Sequence, residues 1–169
     1  MREQKKEKPL KKHQVVLKVV KYALALSALA YIAVLLLFTG GSSQSFEQIS
    51  KGVEAVIDTD ALTKMTVQDL KRYYGLNGAD YEGVSLYVSK SSLSAAEVLM
   101  IRVKSVDQIA EISTAIEKRM DVRREDFEEF APEQVNLIDS ATVQIRGDFV
   151  FFTISDDAEQ YKKAFTDSL

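Results

Sequence analysis

The longest unbroken apolar run lies near the start of the chain. From Tyr22 to Phe38 it reads YALALSALAYIAVLLLF, 17 residues without a charge. At 1.5 Å per residue these residues span about 25 Å, close to the ~30 Å hydrocarbon core of a bilayer. The preceding VVLKVVK lengthens the run, because Lys18 and Lys21 can bury their stems and snorkel their ammonium groups. The pattern predicts a transmembrane helix over 22–39, with Tyr22, Tyr31, Leu35 and Phe38 as anchor residues and Gly40-Gly41 ending it. Two other readings compete. A cleaved signal peptide would use Thr39-Gly40-Gly41 or Gly41-Ser42-Ser43 as its small-residue site, and a buried core helix would need no membrane.

Beyond a polar linker at 40–45, the periodicity changes. Ser45 and Gln48 have capping-box spacing, and Phe46, Ile49, Val53, Val56 and Ile57 form an apolar helical stripe. Thr66 starts a short helix through Leu70, Tyr73 and Tyr74, with Gly75 as its left-handed cap and Leu76 as the accompanying contact. Adjacent residues on a helix point about 100° apart, so one of Tyr73 and Tyr74 is expected to pack inward. Val84, Leu86 and Val88 alternate as a strand does, as do Leu99, Ile101 and Val103. The polar loop SKSSLS separates the two runs. Ser105 and Gln108 are spaced as a capping box for a long helix carrying Ile109, Ile112, Ile116 and Met120, which ends in the charged stretch RREDFEEF.

Pro132 suits the first turn of a short helix over 133–138. A strand over 141–145, a hairpin turn at Gly147-Asp148 and a strand over 149–154 follow. The last strand is apolar on both faces, which predicts an interior position. A final helix begins at Ser155 or Asp156. The expected fold of 46–169 is α+β: an antiparallel sheet of two ββα units, 81–120 and 141–169, with helices on one face.

Charge divides the chain where the apolar run does. Residues 1–39 carry eight basic and two acidic groups, +6, and residues 40–169 carry 14 basic and 23 acidic groups, -9. A basic flank stays cytoplasmic, so 1–21 reads as a cytoplasmic tail and 46–169 as an extracytoplasmic domain of a single-pass cell-membrane protein. The acidic balance disfavours nucleic acid and anionic polymers as partners. It leaves the lipid bilayer for the apolar run, and a protein or an uncharged or cationic ligand for the domain.

YYGLNGADYEGVSLYVS, AEVLMIRVKS, SVDQIAEI, the tripeptide Pro132-Glu133-Gln134 and GDFVFFTISDDAEQ together resemble a bacterial, largely Gram-positive domain family of unknown function. The resemblance covers about 46–169, and its members sit on membrane-anchored and lipoprotein-like chains. It implies location and fold and carries no catalytic residue over. The lipoprotein members have a cysteine after the apolar segment, which this chain lacks.

With no cysteine, and with its single histidine at His13 in the tail, the domain has no imidazole base, no thiol nucleophile and no zinc donors. No cofactor is expected. Lys90-Ser91 could form a Ser-Lys pair, but a serine-rich loop beside a lysine reads as a solvated connection. Asp156-Asp157-Glu159 and Glu125-Asp126-Glu128-Glu129 lack the periodicity of a calcium loop. Arg146-Gly147-Asp148 is read as a hairpin turn, not an adhesion motif. The leading expectation is a non-catalytic interaction or ligand-binding module. Its candidate surface joins Ser89, Lys90, Ser91, Ser92 and Leu93 to Phe130, Pro132, Glu133 and Gln134, because loops carry function more often than packed faces. The alternative is a carboxylate-dependent hydrolase of cell-wall glycan, which would need two acids in one cleft.

Overall fold

The computed structural model describes residues 20, 21, 24, 27, 28 and 44–169. Residues 1–40 and 41–169 form two separate units. In the first, Val20, Lys21, Leu24, Ser27 and Ala28 are helical, and the Ser27 hydroxyl donates to the Leu24 carbonyl at 2.9 Å. Among the described residues no helix is long and apolar enough to cross a membrane. The expected transmembrane helix is therefore not among the described elements. Of its span only Leu24, Ser27 and Ala28 are described, and Tyr22, Tyr31, Leu35 and Phe38 lie outside the described residues.

The second unit runs α1 (Phe46–Glu54), β1 (Leu62–Lys64), α2 (Val67–Tyr74), a 3-10 turn (Gly78–Asp80), β2 (Gly83–Ser89), β3 (Glu97–Arg102), α3 (Gln108–Phe127), α4 (Pro132–Asp139), β4 (Thr142–Arg146), β5 (Phe149–Ile154) and α5 (Ala158–Ser168). Five antiparallel strands form one sheet in the order β1-β2-β3-β5-β4. The two expected hairpins thus pair through β3 and β5, which become neighbours. The fifth strand, β1, is an addition: only three residues long, it alternates too briefly to show a period.

Helices cover both faces of the sheet, where one face was expected. Because strand side chains alternate, Leu86, Leu99, Ile101, Val150 and Phe152 point to one side and pack with Leu70 of α2, Ile112 and Ile116 of α3 and Ile138 of α4. Tyr87, Val98, Met100, Phe149 and Phe151 point to the other and pack with Ile49 and Val53 of α1 and Tyr161 and Phe165 of α5. β3 and β5 are buried on both faces because each is sandwiched. Their near-continuous apolar runs are what a doubly covered strand requires.

Local signals account for most element ends. The Ser45–Gln48 capping box forms, with Gln48 N–H donating to Ser45 Oγ and Ser45 N–H donating to Gln48 Oε1. Thr66 donates its N–H and hydroxyl to the Asp69 carboxylate. Those bonds hold the Asp69 pKa below the usual aspartate value. Gly75 (φ 72°) caps α2, and Gly147 (φ 57°) turns the β4–β5 hairpin, both in the left-handed region that glycine adopts without a Cβ clash. The box expected at Ser105 forms only in half. Gln108 Oε1 accepts the N–H groups of Lys104 and Ser105, while the Ser105 hydroxyl turns to Asp107, which takes the cap position. Similarly, Asp157 rather than Ser155 or Asp156 precedes α5, and Ser155 Oγ accepts the Asp157 N–H.

Candidate functional site

The Ser89–Ser94 loop is held by a ladder of short-range bonds from its own serines. Ser89 Oγ accepts the Ser91 N–H, Ser91 Oγ accepts the Leu93 N–H and Ser94 Oγ accepts the Ala96 N–H. Lys90 Nζ donates to the Thr59 carbonyl at 2.7 Å, so the lysine ties the loop to the turn before β1. Serine side chains that satisfy the backbone two residues on fix a turn without helix or strand. Lys90 and Ser91, read from sequence as part of a connection and not as a Ser-Lys pair, hold the loop.

The second segment closes on the first. α3 runs on to Phe127, two turns beyond Met120, and carries Arg123 over the loop. Arg123 Nη2 donates to the Ser94 carbonyl at 3.0 Å, Nη1 pairs with Asp126 at 3.0 Å, and the guanidinium lies 4.6 Å from the Phe127 ring centre. Arg123 Nε is buried without a partner. From α4, Gln134 Oε1 accepts the Ala95 N–H at 2.8 Å. The two loops proposed from sequence are thus one surface, joined by Arg123 and Gln134.

Of the expected residues, Ser89 and Gln134 line a cleft of about 200 Å³ at this end of the sheet. Lys90, Ser91, Ser92, Pro132 and Glu133 are exposed around it, with Pro132 as the first residue of α4. Leu93 and Phe130 are the large apolar residues of the group, 68% and 60% exposed. Phe130 leans on Phe127, ring centres 5.6 Å apart, so the buried ring supports the exposed one. The sequence did not show that Leu137 of α4, Asp58 of the turn before β1, and Asp156, Asp157 and Tyr161 at the start of α5 line the same cleft. Asp58 Oδ1 accepts the N–H groups of Asp60 and Ala61, and the three aspartates are exposed.

A second depression of about 450 Å³ lies between α2 and α3, lined by Tyr74, Gly75, Leu76, Glu111, Ala115 and Lys118 among others. Beneath it is a buried polar cluster. Glu97 has no exposed surface, yet it accepts from Arg119 Nη2 at 2.8 Å, from Arg119 Nε at 3.2 Å and from the Tyr74 hydroxyl at 2.8 Å. The guanidinium lies 4.8 Å from the Tyr73 ring centre, so Tyr74 is the inward tyrosine and Tyr73 covers the cation. Burial, followed by the neighbouring Glu97 charge, pushes the Tyr74 hydroxyl well above its ordinary pKa. For Arg119, burial opposes the charge, and the bonds and charge of Glu97 more than offset it, raising the pKa. The sequence did carry a signal: Arg119 occupies the stripe of Ile112 and Ile116, where a charge needs a buried partner. Every side-chain hydrogen bond of Glu97 stays within this cluster, on Arg119 and Tyr74.

No curated protein and no solved structure matches the chain. The family model of a domain of unknown function, DUF4358, matches residues 55–155. That span runs from just after α1 to the end of β5. It takes in the whole sheet, α2, α3 and α4, and both loops of the candidate surface, and is narrower than the 46–169 expected from the resemblance. The chain belongs to the DUF4358 family.

Proposed function

We propose that this domain is a non-catalytic protein-interaction module, and that its contact surface is the one framed by Leu93 and Phe130. The observation that supports it most is the pairing of exposed apolar side chains with rigid backing. Leu93 stands on a loop fixed by three serine–backbone bonds, and Phe130 rests on the buried Phe127. Apolar anchors held in place before binding lose little conformational freedom on contact, which favours recognition. The flanking cleft, at about 200 Å³, is smaller than the 300 to 1,000 Å³ usual for small-molecule sites. It suits a single side chain of a partner. Asp58, Asp156 and Asp157 at its mouth select for a basic or uncharged one.

The carboxylate-hydrolase reading has one observation in its favour, three aspartates in one cleft. A glycosidase acid needs an apolar setting that keeps it protonated near neutral pH. Here all three aspartates are solvent-exposed, and Asp58 accepts two backbone N–H groups. The interaction reading is therefore preferred. For location we propose the cell membrane, supported by the +6 tail, which an anionic lipid surface attracts. The finer reading of the family, a bacterial chain working at that membrane, rests on the resemblance carried by motifs such as YYGLNGADYEGVSLYVS and GDFVFFTISDDAEQ.

The test is quantitative co-purification from source cells of the full-length chain against Leu93→Ser/Phe130→Ser. Both side chains are already exposed, so the double variant should melt within a few degrees of the parent. A protein recovered with the parent and lost with the variant supports the module. Equal recovery with both would move the contact surface elsewhere.

A further inference from the structure

β4 is the outer strand on one side of the sheet, and it differs from the opposite edge. β1 is three residues long, and Lys64 on it is paired with Glu54, which together guard that edge against further pairing. β4 has five residues, Thr142-Val143-Gln144-Ile145-Arg146, with neither proline nor lysine. Its ladder to β5 is continuous in register, with no bulge. Val143 and Ile145 stand opposite Phe152 and Val150, so they share the sheet face of the larger core. They are nevertheless 47% and 46% exposed. An unguarded edge and an uncovered apolar pair thus coincide on one strand.

The strand is also self-complementary in only one register. A two-fold axis perpendicular to the sheet through Gln144 sets Val143 against Ile145 of a second copy, and Ile145 against its Val143. The same register sends the two Arg146 side chains to opposite ends, each facing Thr142 of the other copy. Centring on Val143 would place Ile145 against Ala141, and centring on Ile145 would place Val143 against Gly147, losing an apolar pair each time. We propose that β4 pairs with β4 of a second copy of this chain, antiparallel about Gln144, joining two five-stranded sheets into one of ten strands.

The chain has no native cysteine, so single cysteines report the register directly. Opposed residues of an antiparallel pair have Cα atoms about 4.5 or 5.5 Å apart, inside the disulfide range, whereas positions displaced by two residues lie about 7–8 Å apart. Full-length Gln144→Cys, oxidised at micromolar concentration, should give a covalent dimer on a non-reducing gel. Val143→Cys and Ile145→Cys should cross-link when mixed and much less alone. Thr63→Cys on the opposite edge serves as the control. Sedimentation of the cysteine-free parent should show a dimer whose dissociation constant rises at least about tenfold in Ile145→Lys, by putting a charge in each apolar pair. A monomeric parent, or Gln144→Cys cross-linking no better than Thr63→Cys, overturns the proposal. So does a dimer that survives Ile145→Lys, which would assign association to another surface.

Discussion

Removing Arg119 should cost the domain a large part of its stability. In Arg119→Ala the carboxylate of Glu97, without exposed surface, loses its three contacts to the guanidinium and keeps only the Tyr74 hydroxyl. Breaking a buried ion pair by removing one partner costs about 3–5 kcal/mol, because the remaining charge stays desolvated. Against the 5–15 kcal/mol typical of a whole domain, that is about a third to a half of a mid-range total. The assay is urea unfolding followed by circular dichroism, which suits a chain without tryptophan. The midpoint should fall while the slope with urea stays constant. A companion variant separates charge burial from packing. Glu97→Leu/Arg119→Met/Tyr74→Phe removes the charges and the dependent hydroxyl together, and should come close to the parent or exceed it. A loss below about 1 kcal/mol in Arg119→Ala would refute the reasoning. So would a triple variant as unstable as the single one.

Stability should also fall in alkali. Tyr81 is pushed up to about 12, first by burial and then by the charges of Glu111 and Asp80. An unfolded tyrosine titrates near 10, so the unfolded chain releases that proton first and the Tyr81 contribution is lost between about pH 10 and 12. Tyr81→Phe should flatten part of that loss in unfolding curves taken across the range. Gly75→Ala forces a Cβ into a left-handed cap (φ 72°) with no neighbouring atom in its way. Its cost, about 1–2 kcal/mol, is then purely conformational and should appear in thermal unfolding. Gln134→Ala removes the acceptor of the Ala95 N–H. Hydrogen exchange at Ala95 should accelerate while exchange in β5 stays unchanged.

What the sequence disclosed follows from how far apart the interacting residues lie. The Ser45–Gln48 box, the Gly75 cap and the Gly147 turn are settled within four residues, and each forms as expected. The interior position of β5 was legible because doubly covered strands leave no polar alternation, and Phe149 to Ile154 has none. The one-face arrangement failed because the strands were read from Leu86, Leu99 and Ile101 alone, while Tyr87, Val98 and Met100 on the alternate side are buried as well. They are the floor for α1 and α5, whose Ile49 and Phe165 lie 38 and 78 residues from Tyr87. Tertiary pairing at such range has no local signature.

The candidate surface divides in the same way. The Ser89–Ser94 loop and the Phe130–Gln134 connection were visible as irregular segments between periodic ones. The bonds that unite them were not, since Arg123 looked like one more charge in RREDFEEF and Gln134 like one more polar helix residue. Asp58, Asp156 and Asp157 enter the cleft from segments whose own sequence describes only a turn and a helix start.

Position-resolved photo-cross-linking tests the interaction surface most directly. A photoreactive side chain is placed in the full-length chain at residue 93, at residue 130, and at Val67, an exposed apolar position on α2. After illumination in source cells, the adducts are identified by mass spectrometry. The account predicts the same partner protein captured from residues 93 and 130, and not from residue 67. Capture of that partner from residue 67 alone, or equal capture from all three, would contradict it.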